Sequence, residues 1–152
     1  MNKKGQLKVI LAAVLQGIVI FIMVESAHGQ NWVYVTETND TKFYYDKDSI
    51  SRLSPNIVRF WTKNVSSPSN IINRLKKEGK SIKYLIDKGY EQYSFSIWYN
   101  EFNCREKTSI DLSNTDYDIQ GSELETITFS KKDKVFIPPG TAADEILKVL
   151  CK

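Results

Sequence analysis

The sequence predicts an α+β domain: a single antiparallel sheet of five to six strands, with a C-terminal helix packed on one face and a helical insertion between strands. Three observations predict it. Six short runs of aromatic and β-branched residues, at 32–36, 42–46, 56–65, 93–104, 107–112 and 123–130, read as strands bounded by turn-forming residues. Only two stretches, 66–90 and the one that follows Thr141, space their apolar residues by three and four as a helix does. The connections after Thr36, Leu112 and Ser130 are too short for crossover helices, so the strands they join run antiparallel.

The 152-residue chain opens with an export signal. Lys3, Lys4 and Lys8 precede an apolar run at 9–24, and the small and polar residues ESAHGQ follow it. Ala27 and Gly29 stand where a signal peptidase reads small side chains, which places cleavage between Gly29 and Gln30. An uncleaved anchor is the alternative, because the run falls just short of the roughly 17 to 25 residues of a membrane span. No cysteine lies near the cleavage site, so a lipid anchor is not expected. The expected domain is therefore 30–152, exported to the periplasm, the cell surface or the medium.

Removing 1–29 changes the chemistry of what is left. The segment carries three of the 21 basic residues and one of the 18 acidic ones, leaving 18 against 17. A near-neutral chain offers no charge-based case for nucleic acid or an acidic membrane as partner. His28, the single histidine, leaves with the segment. The mature chain then cannot build a His-dependent triad or a His-containing zinc site.

The first two strands, WVYVT and KFYYD, flank the turn-forming ETNDT and make a hairpin. A polar connection leads to the third, NIVRFWTKNV, whose apolar residues fall on both sides and imply an interior position. In 66–90, Ile71, Ile72 and Leu75, then Ile82, Leu85 and Ile86, carry the helical spacing. Ser67 or Ser69 caps its start, Gly89 ends it, and Gly79 is positioned to split it in two. Its basic cluster, Arg74, Lys76, Lys77, Lys80 and Lys83, reads as a solvated helix face.

The longest strand, YSFSIWYNEFNC, is the predicted centre of the sheet. Tyr93, Phe95, Ile97 and Tyr99 share one side, while Trp98, Phe102 and Cys104 share the other. Either both faces are covered or a bulge near Asn100 re-aims the strand; two covered faces is the reading adopted. After the strand KTSIDL comes a loop containing DYD, then the strand ELETITFS. Asp111, Asp116, Asp118 and Glu123 do not follow the spacing of a calcium loop. Pro138, Pro139 and Gly140 then stop any strand, Thr141 and Asp144 form a capping box, and Ala143, Ile146, Leu147, Leu150 and Cys151 make one apolar stripe.

Cys104 and Cys151 are the only cysteines, and in an exported chain they are expected to form a structural disulfide. A redox pair or two buried free thiols are the alternatives. The bond would close a long loop worth about 4 kcal/mol in the chain-entropy model. It would also place the helix stripe against Trp98 and Phe102.

The ordered set WVYV, FYYDKDSI, VRFWTK, YSFSIWYNEFNC and IPPGT with a terminal helix ending in Cys resembles the bacterial surface-adhesin protein E family, over nearly all of 31–152. The resemblance implies an antiparallel sheet with a docked C-terminal helix, a Cys104–Cys151 disulfide and a capacity to dimerise. It also implies a non-enzymatic surface protein that binds host extracellular-matrix and serum proteins. The chain departs from the founding member in having no lipobox cysteine. The reading is an exported binding protein with a protein ligand, no cofactor, and no catalytic or metal residue; a periplasmic envelope or inhibitor-type module is the alternative.

Overall fold

The computed structural model describes residues 30–38 and 41–152; the expected export signal, 1–29, lies outside them. Strands β1 (Trp32–Thr38), β2 (Thr41–Asp46), β4 (Ile57–Val65), β5 (Tyr93–Asn103), β6 (Thr108–Asp118) and β7 (Glu123–Thr128) form one sheet in the order β1-β2-β4-β5-β6-β7. Two short strands complete it. β3 (Ser51–Ser54) pairs with the first half of β4, and β8 (Val135–Phe136) with the start of β6. Every pairing is antiparallel, including that of β4 with β5, which the helical insertion joins.

The predicted five to six strands correspond to the six of the main path, and the short β3 and β8 bring the sheet to eight. β3 lies in the stretch read as a polar connection, and all four of its residues are exposed, so no apolar alternation marks it. β8 is two exposed residues held only by pairing with Thr108 and Ser109. β6 runs through the DYD segment that the sequence reads as a loop. Its Asn114 and Asp116 are buried, and the Asp116 carboxylate accepts hydrogen bonds from Tyr90 and Asn114, so tertiary bonds hold a segment of low strand propensity in the sheet.

Helices cover one face of the sheet. α1 (Pro68–Lys77) starts at Ser67, whose hydroxyl accepts the Asn70 N–H, and α2 (Ile82–Asp87) starts at Ser81, whose hydroxyl accepts the Tyr84 N–H. The break between them is at Gly79, which takes φ +92° with open space around it. Ile71, Leu75 and Leu85 of this insertion pack with Tyr90 and Tyr93 in one core cluster. Of the residues that carry the helical spacing in α2, Leu85 is buried while Ile82 and Ile86 are exposed, because α2 makes fewer than two turns and turns Leu85 and Tyr84 towards the sheet.

The other cluster lies under the terminal helix α3 (Ala142–Leu150). Ile146, Leu147 and Leu150 meet Tyr45, Val58, Phe60, Phe102 and Ile137, each buried helix side chain contributing about 1.5 to 3 kcal/mol. The cap is the predicted one: the Thr141 hydroxyl accepts the Asp144 N–H, while the Asp144 carboxylate accepts the Gly140 N–H. At its other end the helix carbonyl of Leu150 accepts a 2.7 Å bond from the Arg52 guanidinium, which fastens the helix to β3. Cys151 follows directly and is bonded to Cys104 at the end of β5, with Cα atoms 5.4 Å apart.

Phe102 meets the stripe as predicted. Trp98 does not join that cluster; it lies further along β5, stacked with Phe129 and 6.0 Å from the Arg74 guanidinium. The parity read for β5 holds for Phe95, Ile97 and Tyr99 on one side and Trp98 and Phe102 on the other, and is corrected at Tyr93. From Phe95 to Asn103 its register with β4 is unbroken, so Ser96, Trp98, Asn100 and Phe102 share the helix-covered face with Val58, Phe60 and Thr62. The bulge near Asn100 is real but belongs to β6, where Leu112 is skipped between Asp111 and Ser113. A second bulge at Ser94 turns Tyr93 to the covered face.

Candidate functional site: an open aromatic sheet face

The opposite face collects the alternate residues of the same strands. β4 contributes Arg59, Trp61 and Lys63, opposite Glu101, Tyr99 and Ile97 of β5. β6 adds Thr115 and Tyr117 beside Ile97 and Phe95, and the β1–β2 hairpin adds Tyr34 and Tyr44 beside Lys63. None of these residues belongs to either core cluster, and among the described residues all three helices lie on the other side. The expected second covered face is therefore corrected to an open one.

What keeps so many rings at the surface is contact with one another. Trp61 and Tyr99 stack with centroids 4.6 Å apart, Phe95 and Tyr117 stack at 4.9 Å, and Tyr34 meets Tyr44 edge-on at 5.7 Å. The Lys63 ammonium sits 4.2 Å from the Phe95 ring centroid and 6.0 Å from that of Trp32. Beyond Trp61, Arg59 donates to Glu101 at 2.8 Å, a partly buried pair at the rim. Even so, Trp61 remains 36% and Tyr34 54% exposed. A cavity of about 370 Å³ opens where this face meets the turn at Lys47–Ser49, walled by Asp46, Asp48, Trp61, Ile97 and Tyr117.

The acidic residues that the sequence offers as a false calcium loop are not brought together. Asp118 accepts the N–H groups of Gln120 and Ser122 in a turn. Asp116 is buried under the insertion, Asp111 faces the first turn of α3, and Glu123 is exposed at the β7 edge. Among the described residues no cluster of three metal-ligating side chains forms. Of the basic cluster, Arg74, Lys76, Lys77 and Lys83 are exposed on α1 and α2, and Lys80 lies over the Tyr84 ring.

Under the insertion lies a tyrosine–carboxylate cluster that no local pattern announces, because its members come from separate elements. Tyr84 donates to Glu125, and Tyr90 donates to Asp116 at 2.7 Å and to Glu125 at 3.2 Å. The Tyr93 hydroxyl pairs with Ser96 at 2.7 Å. Hydrogen bonding to Glu125 pushes the Tyr84 phenol up to about 12, and burial pushes that of Tyr93 up to about 12. Burial and Asp116 raise Tyr90 further still. Because these folded values lie above the unfolded one, their contribution is whole below about pH 10 and is lost as pH rises towards 12. The insertion is expected to loosen over that window, seen as late phenolate absorbance together with loss of helical circular dichroism. Ionisation of all eight tyrosines before about pH 11 with helix signal intact would contradict it.

A family model described as surface-adhesin protein E matches residues 32–152, which is the whole described sheet together with its terminal helix and disulfide. The chain belongs to this family. Crystal structures of Haemophilus influenzae protein E are similar in fold. Crystal form II is 14% identical, with a TM-score of 0.51 over 83% of this chain and 90% of that one. The selenomethionine form, also 14% identical, gives 0.52 over 83% and 88%. No curated protein sequence matches the chain. Family membership supports a surface adhesin-like protein, and among the described residues no helix is long and apolar enough to cross a membrane.

Proposed function

We propose that this chain is an exported, non-enzymatic binding protein that engages an extracellular protein through its open aromatic face. The observation that carries the reading is the row of stacked pairs, Trp61 with Tyr99 and Phe95 with Tyr117, on a face whose partner layer is absent among the described residues. Large rings held rigid by stacking lose little entropy on binding and dominate interface energetics. The Lys63 ammonium and the Arg59–Glu101 pair supply the polar edge that such interfaces use for register.

A non-enzymatic role is supported by the chemistry available. The single histidine lies in the segment expected to be cleaved, both cysteines are bonded to each other, and the carboxylates of buried Asp116 and half-buried Glu125 accept tyrosine hydroxyls. Cleavage near Gln30 belongs to the same proposal and is read by N-terminal sequencing of exported protein. Surface-protease treatment of intact cells separates display at the surface from retention in the periplasm.

Binding is tested on immobilised extracellular-matrix and serum proteins with wild type and the double variant Trp61→Ala/Tyr99→Ala. The variant is expected to lose about 2 kcal/mol or more, roughly a 30-fold rise in Kd. Binding unchanged in a variant that melts like wild type would rule this face out.

A further inference from the structure

The helix-covered face is not apolar throughout. Between the cluster under α3 and the cluster under the insertion, β4, β5 and β6 place Thr62, Asn64, Ser96, Asn100 and Asn114 on it. Thr62, Ser96, Asn100 and Asn114 are all less than 8% exposed. The centre of a covered sheet face is where aliphatic residues ordinarily sit, and amides there carry a desolvation penalty unless they are paired. Asn100 donates to the Thr62 hydroxyl at 3.0 Å and to the Trp98 carbonyl at 3.2 Å. Two neighbours are not satisfied: the Trp98 indole N–H and the Asn114 amide oxygen, on directly paired residues, are buried without a hydrogen-bond partner.

Thr62, Asn64, Ser96 and Asn100 of this strip floor a groove. Cavities of about 220 and 210 Å³ share Phe43, Asn64 and Trp98 as walls and so form two lobes of one depression. One lobe ends at Asp111 and the first turn of α3, the other at Arg74 of α1. Together they fall in the range of roughly 300 to 1,000 Å³ typical of small-molecule sites, which pair apolar walls with a few placed polar groups.

We propose that this groove binds a saccharide. Its one cation, Arg74, and one anion, Asp111, lie in different lobes, so neither an anionic nor a cationic ligand is matched along its length. The remaining polar lining is amide and hydroxyl, groups that both donate and accept, and sugar hydroxyls do the same. The apolar faces of a sugar ring suit the Phe43 and Trp98 walls. An aliphatic ligand would leave the buried Trp98 indole N–H without a partner, at the cost that sets such sites against it. The site is independent of the aromatic face on the other side of the sheet.

The test is a 15N–1H titration of the exported protein with chitotriose, maltotriose and lactose at millimolar concentration, with glycylglycine as the zwitterionic control. Saturable shifts of the Trp98 indole N–H and of the Asn64 and Asn100 side-chain amides are expected for at least one saccharide. Asn64→Leu should weaken that binding at least tenfold. Where this variant fails to fold, Arg74→Ala on the exposed face of α1 carries the same expectation. No shift with any of the three, unchanged affinity in the folded variants, or shifts with glycylglycine in place of the sugars would each overturn the proposal.

Discussion

Cys151→Ser is expected to cost about 2 to 5 kcal/mol and to free the terminal helix before the sheet melts. The bond closes a loop between residues 47 apart, so its loss returns a large loop-closure entropy to the unfolded chain. It also joins the end of β5 to the end of α3, and the two elements meet otherwise through Phe102 against the helix stripe. Without it the helix keeps that stripe, the Thr141 cap and the Arg52 bond to the Leu150 carbonyl. These are enough to dock it but not to prevent opening, because without the disulfide the helix has no covalent tie to β5 and is held there by side-chain contacts alone. Hydrogen exchange on reduced protein should show α3 amides losing protection while β4 and β5 amides keep theirs. A variant with wild-type denaturant midpoint, or one whose helix and sheet lose protection together, would contradict this account.

How much of this was legible beforehand depended on whether the local pattern and the tertiary role agreed. The terminal helix was readable to its cap because Thr141, Asp144 and the stripe Ile146, Leu147 and Leu150 all point to one structure. The insertion was readable because Ser67, Gly79 and Gly89 punctuate it where its backbone needs them. β3 and β8 were not, because exposed edge residues carry no alternation, and the second half of β6 was not, because Asn114 and Asp116 are poor strand formers, bonded to each other and held by the long-range bond from Tyr90 to Asp116. The open face was misread for a different reason. Apolar residues on both sides of a strand imply cover on both faces, although Arg59, Lys63 and Glu101 share the parity of Trp61 and Tyr99 and belong beside water. That charged company was the available signal. The amides of the covered face gave a second one, since Thr62, Asn64, Ser96 and Asn100 fall in phase with Phe60 and Phe102 and interrupt what an unbroken core would show.

Phe60→Ala and Trp61→Ala, one residue apart, are expected to have opposite consequences. Phe60 is fully buried, meets Phe102 edge-on at 4.8 Å and lies in the cluster under α3. Removing its ring should cost about 3 to 5 kcal/mol, because the rigid sheet backbone on one side and the tethered helix on the other leave little room for the cavity to collapse. Trp61 lies on the other side of the same strand, 36% exposed, with the stack on Tyr99 as its main ring contact. Its loss should cost about 1 kcal/mol or less, the usual worth of a cross-strand pair, and should leave the fold intact. The binding assay then reverses the order: Phe60→Ala, measured under conditions where it is still folded, should bind as wild type does, while Trp61→Ala should bind weakly. Equal destabilisation by the two would mean that the aromatic face is covered after all. A Trp61→Ala protein of normal stability and normal affinity would mean that the face is open but idle.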